Sequence, residues 1–292
     1  MVLTPAKFLT TRQLARLWLV SEATIKRWAD TGQLNSSRTV GGHRRFPVAE
    51  VMRFQTERNL GAVTFGVGAR AATATAEARL FDTTQTAGQF FAAISEGHAA
   101  EATALLLEAH MLGAPLERIF DDVVATSLRR VGDSWEAYEM SVADEHLATS
   151  ATMRAVESLA ASARRGGVHA GEAVCCAAED ELHTLPVLCT QAFLEGAGWG
   201  VRNLGGHTPF FALAEYVAKR RPALVCVSST MQRELEHNAR DYAQLEAAAR
   251  SCGARVVLGG EGFRGEAVRR KFPADLHAES LGELAEFLRA LD

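Results

Sequence analysis

The apolar positions follow different periods along the chain, and each period predicts a different kind of structure. Residues 9–17 and 22–30 repeat apolar positions every three or four residues, which predicts two short helices around a break at 19–20. Four longer helical patterns follow, at about 85–95, 98–109, 115–134 and 141–163, with short breaks between them. Four such helices with short connections predict a four-helix bundle.

The last part of the chain alternates short apolar runs with helical patterns. The apolar runs lie at 173–178, 200–206, 223–228, 255–260 and about 275–278. The helical patterns lie at 186–196, 209–220, 234–251, 264–271 and 281–291. Near-continuous apolar strands separated by helices predict a doubly wound, Rossmann-like parallel sheet.

Charge separates the front of the chain from the rest. Residues 1–60 carry ten Lys and Arg against four Asp and Glu, a net charge of +6, whereas the remainder carries –10. On the second short helix, Ile25 and Trp28 face inward, so Thr24, Lys26 and Arg27 face outward. A basic helix–turn–helix suits the major groove of double-stranded DNA, although a basic helix pair with no role on DNA has the same pattern.

A basic hairpin follows this helix pair. Two glycines, Gly41 and Gly42, form its tip, and its outward residues are basic: Arg38, His43, Arg44 and Arg45. With the helix that begins near Pro47, these elements resemble the winged DNA-binding domain of the MerR and excisionase families. The resemblance implies a DNA operator as partner and a homo-oligomer, dimer or tetramer, assembled through the later domains.

We therefore predict a multidomain protein of α and α/β class. It has a winged helix–turn–helix domain over 1–60, a flexible linker over 61–84, a helical cap domain over 85–163 and the Rossmann-like domain over 164–292. The chain has no run of 18 uncharged apolar residues and no leader pattern at its start, so we expect a cytoplasmic protein with no membrane partner. The five cysteines lie in apolar contexts without a Cys-x-x-Cys pair, which predicts reduced core thiols.

The strand ends carry the candidate chemistry. Glu181 and His183 follow the first strand, Ser228 and Thr230 the third, and Gly259-Gly260 the fourth. These loops meet at one edge of a parallel sheet, where ligands bind. His183 is a candidate metal ligand whose ring Glu181 holds, or a loop histidine without a ligand. The loops contain neither a Gly-x-Gly-x-x-Gly nor a phosphate-binding loop motif.

A second constellation lies at the junction of the last two cap helices. Trp135 ends one helix pattern, and Glu145 and His146 stand in the first turns of the next. From the residues alone, Trp135 either packs in the core or covers a cavity.

Together, these motifs resemble the cobalamin-binding module of the CarH/LitR-type transcriptional regulators. The family pattern Asp/Glu-x-His-x-x-Gly, Ser-x-Leu/Thr and Gly-Gly is matched here except that Pro186 replaces the usual glycine. The resemblance implies that His183 is the lower axial ligand of cobalt, and that Glu181, Ser228, Thr230, Gly259 and Gly260 surround the cofactor's nucleotide tail. It implies equally that Trp135, Glu145 and His146 cover the upper face.

In that family the cofactor is adenosylcobalamin, and light changes oligomerisation and DNA binding. The resemblance implies a repressor of this kind rather than an enzyme, although some of the regulators have a histidine directly after the tryptophan and this chain has Glu136. The alternatives are a B12-level sensor without light gating, a B12-independent MerR-type regulator and a corrinoid enzyme subunit.

Overall fold

The computed structural model describes residues 8–18, 20–39, 41–58, 82–164, 170–230 and 239–291. Of the predicted linker over 61–84, residues 61–81 lie outside the described residues. Its last residues differ from the prediction, because Asp82 caps a helix that already begins at Thr83. No helix within the described ranges is long and apolar enough to cross a membrane.

The N-terminal domain is a small antiparallel sheet packed on three helices. Its elements are β1 (Phe8–Thr10), α1 (Thr11–Leu17), α2 (Glu22–Asp30), β2 (Ser37–Arg38), β3 (Arg44–Pro47) and α3 (Val48–Glu57). The sheet order is β1-β3-β2, so the predicted hairpin is present. The first helix was predicted from position 9, but Leu9 pairs with Phe46 of β3 and both side chains are buried.

An aromatic cluster fixes α2 against this domain. Trp18 and Trp28 lie 5.9 Å apart between ring centroids, and Phe54 of α3 lies 5.3 and 5.1 Å from them. Ile25 is fully buried beside them. The hydroxyl of Ser21 accepts a hydrogen bond from Thr24 N–H at 3.1 Å and so begins α2. With one face of α2 held by Ile25 and Trp28, its opposite face is presented to solvent.

Four helices form the second domain, as the sequence predicts. They are α4 (Thr83–Ser95), α5 (Ala99–Met111), α6 and α7 (Val142–Ala163), and α6 consists of Leu116–Arg118, Ile119–Ala125 and Thr126–Glu136. The middle segment of α6 is a π-helix, which the sequence did not indicate. π-Helical segments are rare and occur frequently at functional sites.

The C-terminal domain is a five-stranded parallel sheet with helices on both faces. The strands are β4 (Gly171–Ala177), β5 (Trp199–Asn203), β6 (Leu224–Ser228), β7 (Arg255–Gly259) and β8 (Leu276–Ala278). The helices are α8 (Leu185–Gly196), α9 (Phe210–Arg220), α10 (Ala239–Cys252), α11 (Glu266–Lys271) and α12 (Leu281–Arg289). The sheet order β5-β4-β6-β7-β8 confirms the predicted doubly wound fold.

The helical domain and the sheet share one apolar core. Buried residues of α4 to α7 and of β4, α8 and α12 belong to the same cluster. One carboxylate also joins the domains: Asp121, in the π-helical segment, accepts hydrogen bonds from Leu281 N–H at 3.0 Å and Gly282 N–H at 2.8 Å. Burial raises the pKa of Asp121, and these two bonds oppose that shift. Asp121 thus caps α12 from the neighbouring domain.

We expect Asp121→Ala to lower the free energy of unfolding by about 1–2 kcal/mol, because two N–H groups at the start of α12 lose their acceptor. Urea unfolding measures the change. The matched control is Asp122→Ala, which removes only an exposed pair with Arg118 and should cost under about 0.5 kcal/mol. Equal losses in the two variants would contradict a role for Asp121 in joining the domains.

Candidate functional site

The predicted loops do meet at one edge of the sheet. Ala177, Ser228 and Gly259 are neighbours across β4, β6 and β7, and each lies at the carboxyl end of its strand. The loops that follow these three residues carry Glu181 and His183, Thr230, and Gly260. The central strands of the sheet therefore bring one set of candidate residues together, although they are up to about 80 positions apart in the chain.

A buried carboxylate links two of these loops. Oε1 of Glu181 lies 2.6 Å from Nδ1 of His183 and accepts its backbone N–H at 2.8 Å. Oε2 accepts both the N–H and the hydroxyl of Thr230, each at 2.5 Å. The Glu181 side chain is 1% exposed, whereas that of His183 is 67% exposed. The imidazole is thus held on its Nδ1 side and open to solvent over the rest of the ring.

The environment of Glu181 keeps it ionised. Burial raises its pKa, but the hydrogen bonds from Thr230 and His183 outweigh burial, and the net pKa lies below its usual value. An ionised carboxylate at Nδ1 favours the tautomer with the proton on that nitrogen. The lone pair is then on Nε2, on the opposite side of the ring, as a metal ligand requires.

A cavity of about 260 Å³ opens beside these loops, between the sheet and the helical domain. Its floor includes Cys175, Cys226 and Val257, which are neighbours across β4, β6 and β7 and lie two residues before the strand ends. Ser228, Thr230, Gly259 and Gly260 also line it, and so does Pro186, the residue that replaces the family's glycine. The cavity is a mainly apolar slot with polar groups from the strand-end loops.

Glycine is required where the strand-end loops touch. Gly260 has φ +96°, and a Cβ there would collide with the carbonyl of Ser229. A Cβ on Gly262 would lie 2.5 Å from the hydroxyl of Ser229. The Gly-Gly loop after β7 therefore packs directly on the Ser-Ser-Thr loop after β6, which shapes this side of the slot.

Several slot residues were not singled out by the sequence analysis. They come from α6, which contributes Phe120, Asp121, Val124 and Leu128, and from the start of α12, which contributes Leu281 and Leu284. An Asp within the apolar stretch Ile119–Ala125 was the available signal for α6. The prediction of free, buried thiols is confirmed for Cys175, Cys176, Cys189 and Cys226, while Cys252 is half-buried. Burial raises the pKa of Cys189 to about 12.

The cap residues form a separate group. Trp135 is 46% exposed at the end of α6, so core packing is the wrong interpretation. Glu145 accepts a hydrogen bond from the Thr149 hydroxyl at 2.7 Å, and His146 lies 3.6 Å from Glu145 and is exposed. Exposed apolar groups surround this junction, among them Tyr138, Val142 and Leu147. The three predicted residues lie near the junction of α6 and α7, at the same end of the helical domain, and do not line the slot.

The N-terminal domain places most of its predicted residues on one basic cleft. Lys26, Arg38, His43, Arg44 and Arg45 line a cleft of about 600 Å³ between α2 and the hairpin. Arg12 joins them, and the sequence analysis did not single it out. Lys26 and Arg27 are exposed as predicted, and Thr24 is half-buried with its hydroxyl 3.0 Å from that of Ser21.

Arg44 has an additional structural contact within this cleft. Its guanidinium donates to the carbonyl of Lys26 at 2.7 Å and pairs with Asp30. The side chain is only 12% exposed. Arg44 therefore attaches the hairpin to α2, and its neighbours Lys26, Arg38 and His43 are the more exposed basic groups.

Comparison with protein families matches three regions of the chain. Residues 8–59 match a helix-turn-helix domain, and residues 87–160 and 171–290 each match a model described as a B12 binding domain. The two B12-binding matches correspond to the helical domain and to the domain with the parallel sheet.

Individual proteins are also similar to this chain. The chain is 30% identical over 131 residues to the HTH-type transcriptional repressor CarH of Myxococcus xanthus. The similar region is 45% of this chain and 43% of the repressor, so it spans less than half of either protein. The monomethylamine corrinoid protein of Methanosarcina barkeri has a similar structure, with a TM-score of 0.61 and 21% identity over 72% of this chain and all of its own. A cobalamin-binding protein of Desulfitobacterium hafniense covers 73% of this chain and 99% of its own at 17% identity, with a TM-score of 0.38.

The three matched domains and the slot define a helix-turn-helix protein with a two-part B12-binding region. The chain is also similar to a transcriptional repressor over less than half of either protein.

We expect Glu181→Ala to lower the free energy of unfolding by about 2–3 kcal/mol, because the partly buried N–H and hydroxyl of Thr230 lose a charged acceptor. The measurement is urea unfolding at neutral pH. Glu179→Ala, two residues earlier, is the control and should change stability by less than about 0.5 kcal/mol. A Glu181 variant as stable as its control would show that the carboxylate does not hold these loops together.

Proposed function

We propose that this protein is a cobalamin-dependent, light-responsive repressor that binds adenosylcobalamin between its helical and sheet domains. The observation that carries the proposal is the exposed imidazole of His183, which the buried Glu181 holds through Nδ1. It lies beside Thr230, a residue that lines the apolar slot. A neutral imidazole is a common metal ligand, and His183 would be the residue that holds the cobalt of the cofactor. The proposal places the protein in the cytoplasm together with its DNA operator.

The residues of the sheet edge fit the lower half of such a cofactor. His183 would supply Nε2 to cobalt, and Glu181 would keep the ring in the required tautomer. The slot would take the nucleotide tail between the loops of Ser228-Thr230 and Gly259-Gly260, where glycine leaves room for close approach. Pro186 lines the same slot at the start of α8. Its ring would restrict where the nucleotide tail of the cofactor can lie on that side.

The exposed residues of the helical domain suit the upper half. Trp135, Glu145 and His146 provide an aromatic ring, a carboxylate and an imidazole at the same end of the helical domain. Adenosylcobalamin supplies a cobalt–carbon bond that visible light breaks. Trp135 would contact the adenosyl group. Loss of the adenosyl group would then change how α6 and α7 sit against the sheet. Glu136 follows Trp135 in the chain, and His146 supplies an exposed imidazole near this tryptophan in the proposal.

DNA binding would follow from assembly. The basic cleft of one N-terminal domain supplies few phosphate contacts, whereas two or more such domains in one oligomer bind the same DNA far more tightly. The repressor named among the relatives supports this part of the proposal. The protein of similar fold from Methanosarcina barkeri is named a corrinoid protein, which is the cofactor class proposed here. The helix-turn-helix domain of the present chain favours a regulator over an enzyme subunit.

We expect the protein mixed with adenosylcobalamin and desalted in the dark to keep the corrin absorption bands. His183→Ala should show the spectrum of cobalamin without a histidine ligand, or lose the cofactor on desalting, because it removes the lower ligand. His98→Ala is the control, since this histidine is also exposed but lies at the start of α5. The measurement is the visible absorption spectrum.

Illumination of the same samples separates the alternatives. A light-responsive regulator changes its bands and its oligomeric state, measured by size-exclusion chromatography, and loses affinity for DNA. Retained bands with no response of the oligomer or DNA affinity to light would indicate a B12-level sensor. A wild-type protein that retains no bands would contradict the cobalamin proposal and favour a B12-independent regulator.

We expect Lys26→Ala and Arg38→Ala each to weaken binding to a mixed-sequence DNA duplex and to lower the slope of log affinity against log salt by about one, because each removes one phosphate contact. Fluorescence anisotropy over a salt series measures both quantities. Lys219→Ala, an exposed lysine at the end of α9, is the matched control. Slopes unchanged in all three variants would place the DNA elsewhere on the molecule.

A further inference from the structure

A second histidine, His207, lies beside the loop that carries His183 and has an uncommon backbone conformation. Its φ is +50°, and Asp180, which it contacts, has φ +63°. Residues with a side chain seldom adopt this left-handed region, where Asp and His are nevertheless enriched several-fold. Two such residues in contact indicate that the surrounding structure holds this point of the site in a specific shape.

Two hydrogen bonds join His207 to the metal-binding loop. The backbone N–H of Asp180 donates to Nδ1 of His207 at 2.9 Å, and the N–H of His207 donates to the carbonyl of Glu181 at 2.9 Å. Because Nδ1 accepts a hydrogen bond, its ring proton is on Nε2. The loop after β5 therefore holds Asp180 and Glu181, which lie three and two positions before His183.

The rest of this contact is backbone on backbone. Ala177 N–H donates to Gly205 O at 2.8 Å, and Thr208 N–H donates to Ala177 O at 3.1 Å. A Cβ on Gly206 would lie 3.0 Å from the carbonyl of Glu181, so the loops approach as closely as glycine allows. The ring of His207 adds a side-chain acceptor for the exposed N–H of Asp180, at the left-handed turn itself.

We infer that His207 is a positioning residue for the cobalt ligand. Its Nδ1 fixes the turn at Asp180, and this turn sets the position of Glu181 and hence of His183. Thr230 holds Glu181 from the loop after β6, so His207 completes the support from the loop after β5. The effect of His207 on cobalt ligation rests on the proposed function, whereas its effect on the shape of the loop does not.

Two isosteric substitutions separate the ring nitrogens of His207. In His207→Asn the amide oxygen takes the place of Nδ1 and the short side chain tolerates the left-handed region. In His207→Gln the amide takes the place of Nε2, and His207→Ala removes both. We measure hydrogen exchange of the Asp180 amide in the full chain without cobalamin, and the histidine-ligated fraction of bound adenosylcobalamin from its absorption spectrum.

We expect His207→Asn to resemble the wild type. His207→Ala and His207→Gln should raise the exchange rate of the Asp180 amide roughly 3- to 10-fold, the worth of one hydrogen bond, and shift the ratio of ligated to unligated cobalt by a similar factor. Arg221→Gly is the control, because Arg221 is also left-handed, at φ +50°, but lies at the end of α9, before β6 begins. It should leave both measurements unchanged.

Two results would overturn the inference. Rescue by Gln but not by Asn would mean that His207 acts through Nε2, and wild-type behaviour in all three variants would mean that the ring does not hold the loop. If the wild type retains no cobalamin, the proposed function fails, while exchange of the Asp180 amide still decides the role of His207.

Discussion

The site depends on one buried carboxylate. Glu181 follows β4, yet its two oxygens satisfy a backbone N–H and an imidazole in its own loop and an N–H and a hydroxyl in the loop after β6. An ionised group with almost no access to water is stable only when its oxygens are paired in this way. Its four partners therefore both keep the group charged and join the loops that contain the candidate ligands.

The sequence predicted the type and order of nearly all the elements because their apolar periods are strong. The parallel strands carry continuous apolar runs such as Ala173–Ala178, and the order of the strand-end motifs placed Glu181, His183, Thr230 and Gly260 at one edge. Local pattern was less reliable where distant pairing decides the outcome. Leu9 has a helical spacing but pairs with Phe46 in a sheet, since burial in that sheet outweighs its helical context.

Other features left little trace in the sequence because they arise from contacts between domains. The π-helical segment of α6 presents Asp121 to α12, more than 150 residues later in the chain. The same holds for Arg44, which has the sequence context of a DNA contact and also attaches the hairpin to α2 through Lys26 and Asp30. Residue type and spacing indicated that such groups face a site or a groove, but only the fold shows which partner each one contacts.

The helix α6 has a mechanical consequence. It bears Asp121 near one end and Trp135 at the other, and 14 residues of helix separate these positions by about 20 Å. One end is hydrogen-bonded to the sheet domain, and the other presents an exposed indole. A tilt of α6 by about five degrees about Asp121 would move the indole by nearly 2 Å. Such a tilt would change the position of the tryptophan and the two hydrogen bonds at the start of α12 together.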